Sequence, residues 1–215
     1  MPEPTNDLLT VLEHPPGVTT LAELSREEAG CRRCELYKTA TQVVPGEGRA
    51  GAVLMLVGEQ PGDREDLVGK PFVGPAGRIL DQALAEAGIP RGKTFVTNAV
   101  KHFKYEQRGK RRLHKRPDAG EIEACRWWLD LERALVRPAA ILALGASAAR
   151  SLLGHPVTLA TTRGRPLAEL DGASVLVTIH PSFLLRLRSE ADKEREYGRF
   201  VADLTAAAAA SGLAT

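Results

Sequence analysis

Four short apolar runs fix the architecture open to this sequence. They are AVLMLVG at 52–58, TFVTNAV at 94–100, AAILALG at 139–145 and SVLVTIH at 174–180. Three are rich in β-branched residues, and a loop signal follows each, as expected of strands buried on both faces. Between them lie helical patterns: GRILDQALAEAG at 77–88, DAGEIEACRWWLDLERAL at 118–135 and ASAARSLLG at 146–154. LAELSREEAG at 21–30 has helical spacing, and a last helix is expected over 190–211. Strands alternating with helices imply βαβ units and a mostly parallel sheet covered on both faces. The 215 residues suit one domain, read as a loose Pro-rich leader over 1–20, a domain over 21–211 and a tail over 212–215.

Ligands of such sheets bind outside the carboxyl ends of the strands. Glu59 and Gln60 follow the first run, Asn98 lies near the end of the second, and His180 ends the fourth. A lone histidine at a strand end is more often structural than catalytic. An acid, an amide and an imidazole at one sheet edge favour the sharper reading, recognition of a polar planar ring. The loop opened by Gly58-Glu59-Gln60-Pro61-Gly62 is long for a βα connection, and Phe72 within it is read either as core or as a stacking platform for a base. It has neither a phosphate-loop motif nor a dinucleotide fingerprint.

Residues 101–117, KHFKYEQRGKRRLHKRP, carry eight Lys or Arg and one Glu, yet the whole chain has a net charge of only +2. A basic stripe on an otherwise acidic body points to an anionic partner, against the plainer reading of a solvated basic loop. His114 stands among Lys110, Arg111, Arg112, Lys115 and Arg116. Like charges disfavour its protonation, and a neutral imidazole is a nucleophile, a base or a ligand. No apolar run approaches the roughly 20 residues that span a bilayer, and the start lacks signal-peptide order, so a cytoplasmic, monomeric protein without a membrane partner is expected. Three cysteines make a disulfide framework unexpected. Cys31-x-x-Cys34 with Cys125 reads as a metal site, with His102 a candidate fourth ligand. Zinc and an iron–sulfur cluster fit this donor set equally, and spacing does not decide between them.

The segments GEQPGDREDLVGKPFVGPAGRIL, TNAVK, EIEACRWWL and HPS, with the upstream C-x-x-C, together resemble the iron–sulfur (family 4) uracil-DNA glycosylases from about Cys31 to Arg186. The resemblance implies an α/β/α sandwich with a four-stranded parallel sheet, excision of uracil from DNA and a [4Fe–4S] cluster in preference to zinc. Gln60 in place of the usual Ala, His102 in place of the usual Cys and the inserted KRRLH loop over about 103–117 are similar to the UdgX group. In that group a loop histidine joins covalently to deoxyribose after uracil is released. Carried over residue by residue, the resemblance implies Glu59, His114 and His180 as catalytic, with Gly58, Gln60, Phe72 and Asn98 at the base. It implies Cys31, Cys34, His102 and Cys125 at the cluster, while the charge of the loop places Lys110, Arg111 and Arg112, with Ser182 and Arg186, on the DNA backbone as an expectation. The implied partner is uracil-containing DNA, single strands accepted, with free uracil as product. An ordinary multiple-turnover glycosylase and a non-catalytic reader of uracil or single strands are the alternatives.

Overall fold

A computed structural model describes residues 17–213; residues 1–16, most of the expected leader, and residues 214–215 lie outside the described residues. Helix α1 (Leu21–Glu28) opens with a capping box of Thr20 and Glu23. Strand β1 (Leu54–Gly58) is followed by α2 (Asp63–Val68), α3 (Pro75–Glu86) and β2 (Thr94–Asn98). A hairpin of β3 (Tyr105–Arg108) and β4 (Arg111–His114) leads to α4 (Ala119–Val136). Then come β5 (Ala140–Leu144), α5 (Ala146–Leu153), α6 (Leu159–Thr162), β6 (Pro166–Leu170), β7 (Ala173–Thr178) and α7 (Glu190–Ala210). Among the described residues no helix is long and apolar enough to cross a membrane.

The main sheet has the order β2-β1-β5-β7-β6. The four expected strands pair in parallel, as expected. The sheet is nevertheless five-stranded, because β6 adds an antiparallel edge to β7. Its sequence, PLAEL, is short, broken by a glutamate and only partly buried, so it gives no apolar run, and its Pro166 sits at the first position, where an edge strand tolerates proline.

The continuous apolar strands follow from burial on two faces. Leu54, Leu56, Leu142, Leu144 and Leu176 point to one core with α3 and α7. Met55, Val57, Ile141, Ala143, Val175 and Val177 point to another with α4 and α5. A third cluster under α1 and α4 gathers Leu24, Leu36, Ile122, Trp128 and the cysteines.

The inserted basic segment is a hairpin rather than a solvated loop. Arg108 pairs with Arg111 across Gly109-Lys110, and Gly109 has φ +58°, which a two-residue hairpin turn requires at its first position. An isolated two-stranded ribbon is marginal, so it depends on contacts to the body. Arg112 supplies them. Its guanidinium pairs with Asp63 and the fully buried Asp66 of α2 and lies 5.5 and 5.2 Å from the rings of Phe103 and Tyr105. The Tyr105 hydroxyl donates to the Thr39 carbonyl.

Candidate active site

The strand ends build a chamber of about 630 Å³. Asn98, the last residue of β2, sits beside Gly58, the last of β1, in parallel register. A side chain on Gly58 would put its Cβ 2.3 Å from Asn98 Oδ1 and 2.6 Å from Phe72 Cζ, so only glycine lets these two groups meet. Phe72 has φ +55°, and a Cβ on Gly77 would lie 1.8 Å from its carbonyl oxygen. The helix start at α3 is thus pressed onto Phe72, whose ring stacks on His180 with centroids 5.9 Å apart and planes 29° apart. Asn98 Oδ1 is buried without a hydrogen-bond partner. An orphaned acceptor is costly, and a ligand N–H in the chamber would relieve it.

Behind the chamber, Lys101 Nζ donates to the Asn98 carbonyl at 3.1 Å and to Glu132 Oε2 at 2.7 Å, with both side chains buried. Burial opposes the Lys101 charge, but Glu132 and Glu28 outweigh it and raise its pKa. Asn98 is therefore fixed from below by an ion pair that the sequence pattern showed only as one cation of a stripe and one acid of a helix.

His180 precedes the short 3₁₀ turn Pro181–Arg186. The Ser182 N–H donates to His180 Nδ1 at 3.2 Å, so the neutral ring carries its proton on Nε2. Burial first, then His114 and Arg186, push its pKa down to about 4. His180 is a neutral hydrogen-bond donor at physiological pH.

His114 ends β4 and reaches the rim of the same chamber. Its Nε2 lies 3.6 Å from Glu59 Oε1 and 2.9 Å from Gln60 Nε2. An amide nitrogen only donates, so the second contact is a hydrogen bond when His114 Nε2 carries a lone pair. Gln60 also binds the hairpin's two ends: it accepts from the Lys104 N–H at 3.1 Å and donates to the Lys115 carbonyl at 2.9 Å. The pKa of His114 is lowered by burial against the chamber wall, opposed by Glu59 and assisted by Arg186 and Arg116. Desolvation leads although the side chain is about half exposed (49%), and of the neighbouring cations expected to hold it neutral Arg116 contributes, whereas Lys110 and Arg111 at the hairpin tip are not among the causes.

The uracil DNA glycosylase superfamily model matches residues 45–205. A type-4 uracil-DNA glycosylase of Thermotoga maritima is 39% identical over 160 residues, spanning 74% of this chain and 80% of the relative. This chain belongs to that family. Type-4 uracil-DNA glycosylases of Pyrobaculum aerophilum and Archaeoglobus fulgidus are 35% and 33% identical, over 76% and 81% of this chain and 85% and 89% of theirs.

Within this glycosylase fold the structure brings Glu59, Gln60, Asn98, Phe72, His114 and His180 to one edge, joined by Ser182 and Arg186, which donates to Ser182 Oγ at 3.1 Å. It does not bring Arg112 there as a backbone contact, since its guanidinium is committed to Asp63 and Asp66. The stripe is also less basic than its sequence: Lys104 pairs with Asp118 and Glu121, and Lys115 with Glu106. Lys110 and Arg111 are exposed and have no acidic partner among the described residues. Ser147 escaped the sequence reading, and Arg116 entered it only as one of the cations around His114. Ser147, on the first turn of α5, donates to Glu59 Oε2, and Arg116 Nε lies 3.5 Å from the same oxygen. The helix start at Gly145-Ala146-Ser147 was legible, but not that it abuts the end of β1.

Cys31, Cys34 and Cys125 share the third core cluster. Trp128 Nε1–H donates to Cys31 Sγ at 3.0 Å and the Lys101 N–H to Cys125 Sγ at 3.2 Å. Burial pushes the Cys125 thiol up to about 12, with Cys31 and Cys34 adding to the shift against Lys101. A metal held there would have to displace this thiol's proton, because only the thiolate ligates. His102 is buried, and its Nδ1 has no partner. Among the described residues no three of these donors close into a metal-holding group as the side chains stand. In donor chemistry, N–H···S bonding and orphaned nitrogen, the set suits a thiolate-ligated metal centre, an iron–sulfur cluster or zinc alike.

Proposed function

We propose that this protein excises uracil from DNA and then traps the sugar on His114, once per molecule. The observation that carries the reading is His114 Nε2 placed 3.6 Å from Glu59 Oε1 at the rim of the chamber that holds Asn98, Phe72 and His180. A uracil flipped from the stack fills the chamber, and single strands are accepted because unstacking costs least there. Phe72 lies against its face, and Asn98 accepts from N3–H and donates to O4. As the C1′–N1 bond breaks, its electron pair moves onto the base, and His180 Nε2–H stabilises the charge at O2. The cationic sugar faces the Glu59 carboxylate. The His114 lone pair then forms the bond to C1′. The resulting imidazolium loses its Nδ1 proton, which balances the proton taken up by the departing uracil anion.

The relatives' name favours a second reading, an ordinary glycosylase in which Glu59, held by Ser147 and Arg116, orients a water. Uracil released per protein separates the two: about one for the trap, as in a stalled covalent intermediate, and many for ordinary turnover. None would leave only a non-catalytic reader. Adduct formation should persist through neutral pH and fall only below the usual imidazole range near 6.5, because protonation removes the lone pair and the His114 pKa is depressed. A rate already falling as pH drops from 8 to 7 would contradict this.

Lys110 and Arg111, exposed at the hairpin tip, are proposed to grip phosphates. Changing both to Ala should reduce the slope of log affinity against log salt by about 2, close to one per phosphate contact. An unchanged slope would place the DNA elsewhere.

Cys31, Cys34, Cys125 and His102 would hold a [4Fe–4S] cluster. Bound there, it would tie the segment after α1 to α4 and to the residue beyond β2. Purified protein is expected to contain iron and sulfide and to absorb broadly near roughly 400 nm, as thiolate-ligated clusters do. Stoichiometric zinc after anaerobic purification would defeat this.

A further inference from the structure

A second chamber of about 550 Å³ opens on the other side of His114 and Glu59. It lies over the ends of β5 and β7, not over the base-holding loop. Leu144, Leu159, Ile179 and Phe183 give it apolar walls, and Arg116 and Arg186 stand in its lining. Gly145 and Ala146, at the start of α5, open into it, and a helix start favours negative charge. His114, Gln60, His180, Ser182 and Arg186 line both chambers, so the two meet at the reacting centre.

We propose that this second chamber is a subsite for the nucleotide next to the uracil, its base against the apolar walls and its phosphate between Arg116 and Arg186. The inference rests on the proposed uracil chemistry. If uracil occupies the first chamber, its C1′ must lie at Glu59 and His114, and one arm of the sugar–phosphate chain leaves across that wall. The volume falls in the range of small-ligand pockets. Five of its seven polar lining residues are shared with the first chamber, and the unshared wall is apolar apart from Glu59 and Arg116, so the subsite takes a base by its face rather than reading its edge. A base inside a duplex is paired and stacked, so this occupant belongs to single-stranded or frayed DNA.

Leu159 borders the chamber and lies outside the reacting groups, which makes it the residue to change. Single-turnover uracil release is measured against DNA concentration with single-stranded oligonucleotides. One set has an intact neighbour; two others carry a base-less tetrahydrofuran unit on the 5′ or the 3′ side of the uracil. For the wild type, removing the base on one side should raise the half-saturating DNA concentration about tenfold, the scale of one stacked base. Leu159→Asn, which wets the wall without adding charge, should raise it about as much with the intact neighbour and little further with the base-less one. Leu159→Met, which keeps the wall apolar, should behave as wild type and controls for misfolding. The subsite is refuted if neither base-less unit affects the wild type. It is equally refuted if Leu159→Asn loses the same factor with and without the neighbouring base. Failure of the covalent reading shows instead as many uracils released per protein, with these half-saturation values still measurable.

Discussion

His114→Ser is expected to abolish the heat- and detergent-stable DNA adduct while leaving uracil release in place. The substitution removes the nitrogen proposed to attack C1′ but none of the groups proposed to break the glycosidic bond. Glu59 keeps its contacts to Ser147 and Arg116, Asn98 keeps the Lys101–Glu132 support, and His180 keeps its Ser182 N–H. The small serine leaves room beside Glu59 for a water. The product is then an abasic site, and the enzyme is free to turn over. The measurement pairs denaturing electrophoresis with a count of uracil released. Expected are no shifted band and more than one uracil per protein. A full-strength band from the variant would mean that another side chain is the nucleophile.

His180→Ala is expected to slow base release by about 10²–10³-fold in a single turnover, the usual effect of losing one donor to a developing oxyanion. The magnitude follows from its state. A ring held neutral, its pKa near 4, with Nδ1 occupied by the Ser182 N–H, presents Nε2–H to the chamber. Because protonation sets in only near pH 4, His180 should contribute no change in rate between pH 6 and 8. Wild-type release by the alanine variant would assign His180 to packing against Phe72 alone.

The parallel sheet was legible because four strands are buried on both faces and so read as unbroken apolar runs. β6 was not, since an edge strand needs no such run. Glu59, Asn98 and His180 were legible for a geometric reason: each ends or follows one of those runs, and parallel strands bring such ends to one edge. What stayed hidden were contacts between segments far apart in sequence. Nothing in KRRLH says that Arg112 is tied to Asp63 and Asp66 whereas Lys110 and Arg111 have no acidic partner among the described residues. Nothing in GEQPG says that the Gln60 amide clasps both ends of a hairpin more than forty residues away. The lowered pKa of His114 illustrates the difference. Sequence neighbours suggested repulsion by adjacent cations; in the fold only Arg116 of them contributes, beside partial desolvation and the distant Arg186, with Glu59 pulling the other way.

The central claim is a bond between His114 and deoxyribose, and peptide mapping of the wild-type protein after reaction with uracil-containing DNA tests it most directly. After nuclease and protease digestion, the residual sugar-phosphate mass should fall on the peptide containing residues 113–115, at the histidine, and only when the DNA carries uracil. An adduct on any other residue, or no adduct while uracil is released many times over, would contradict it.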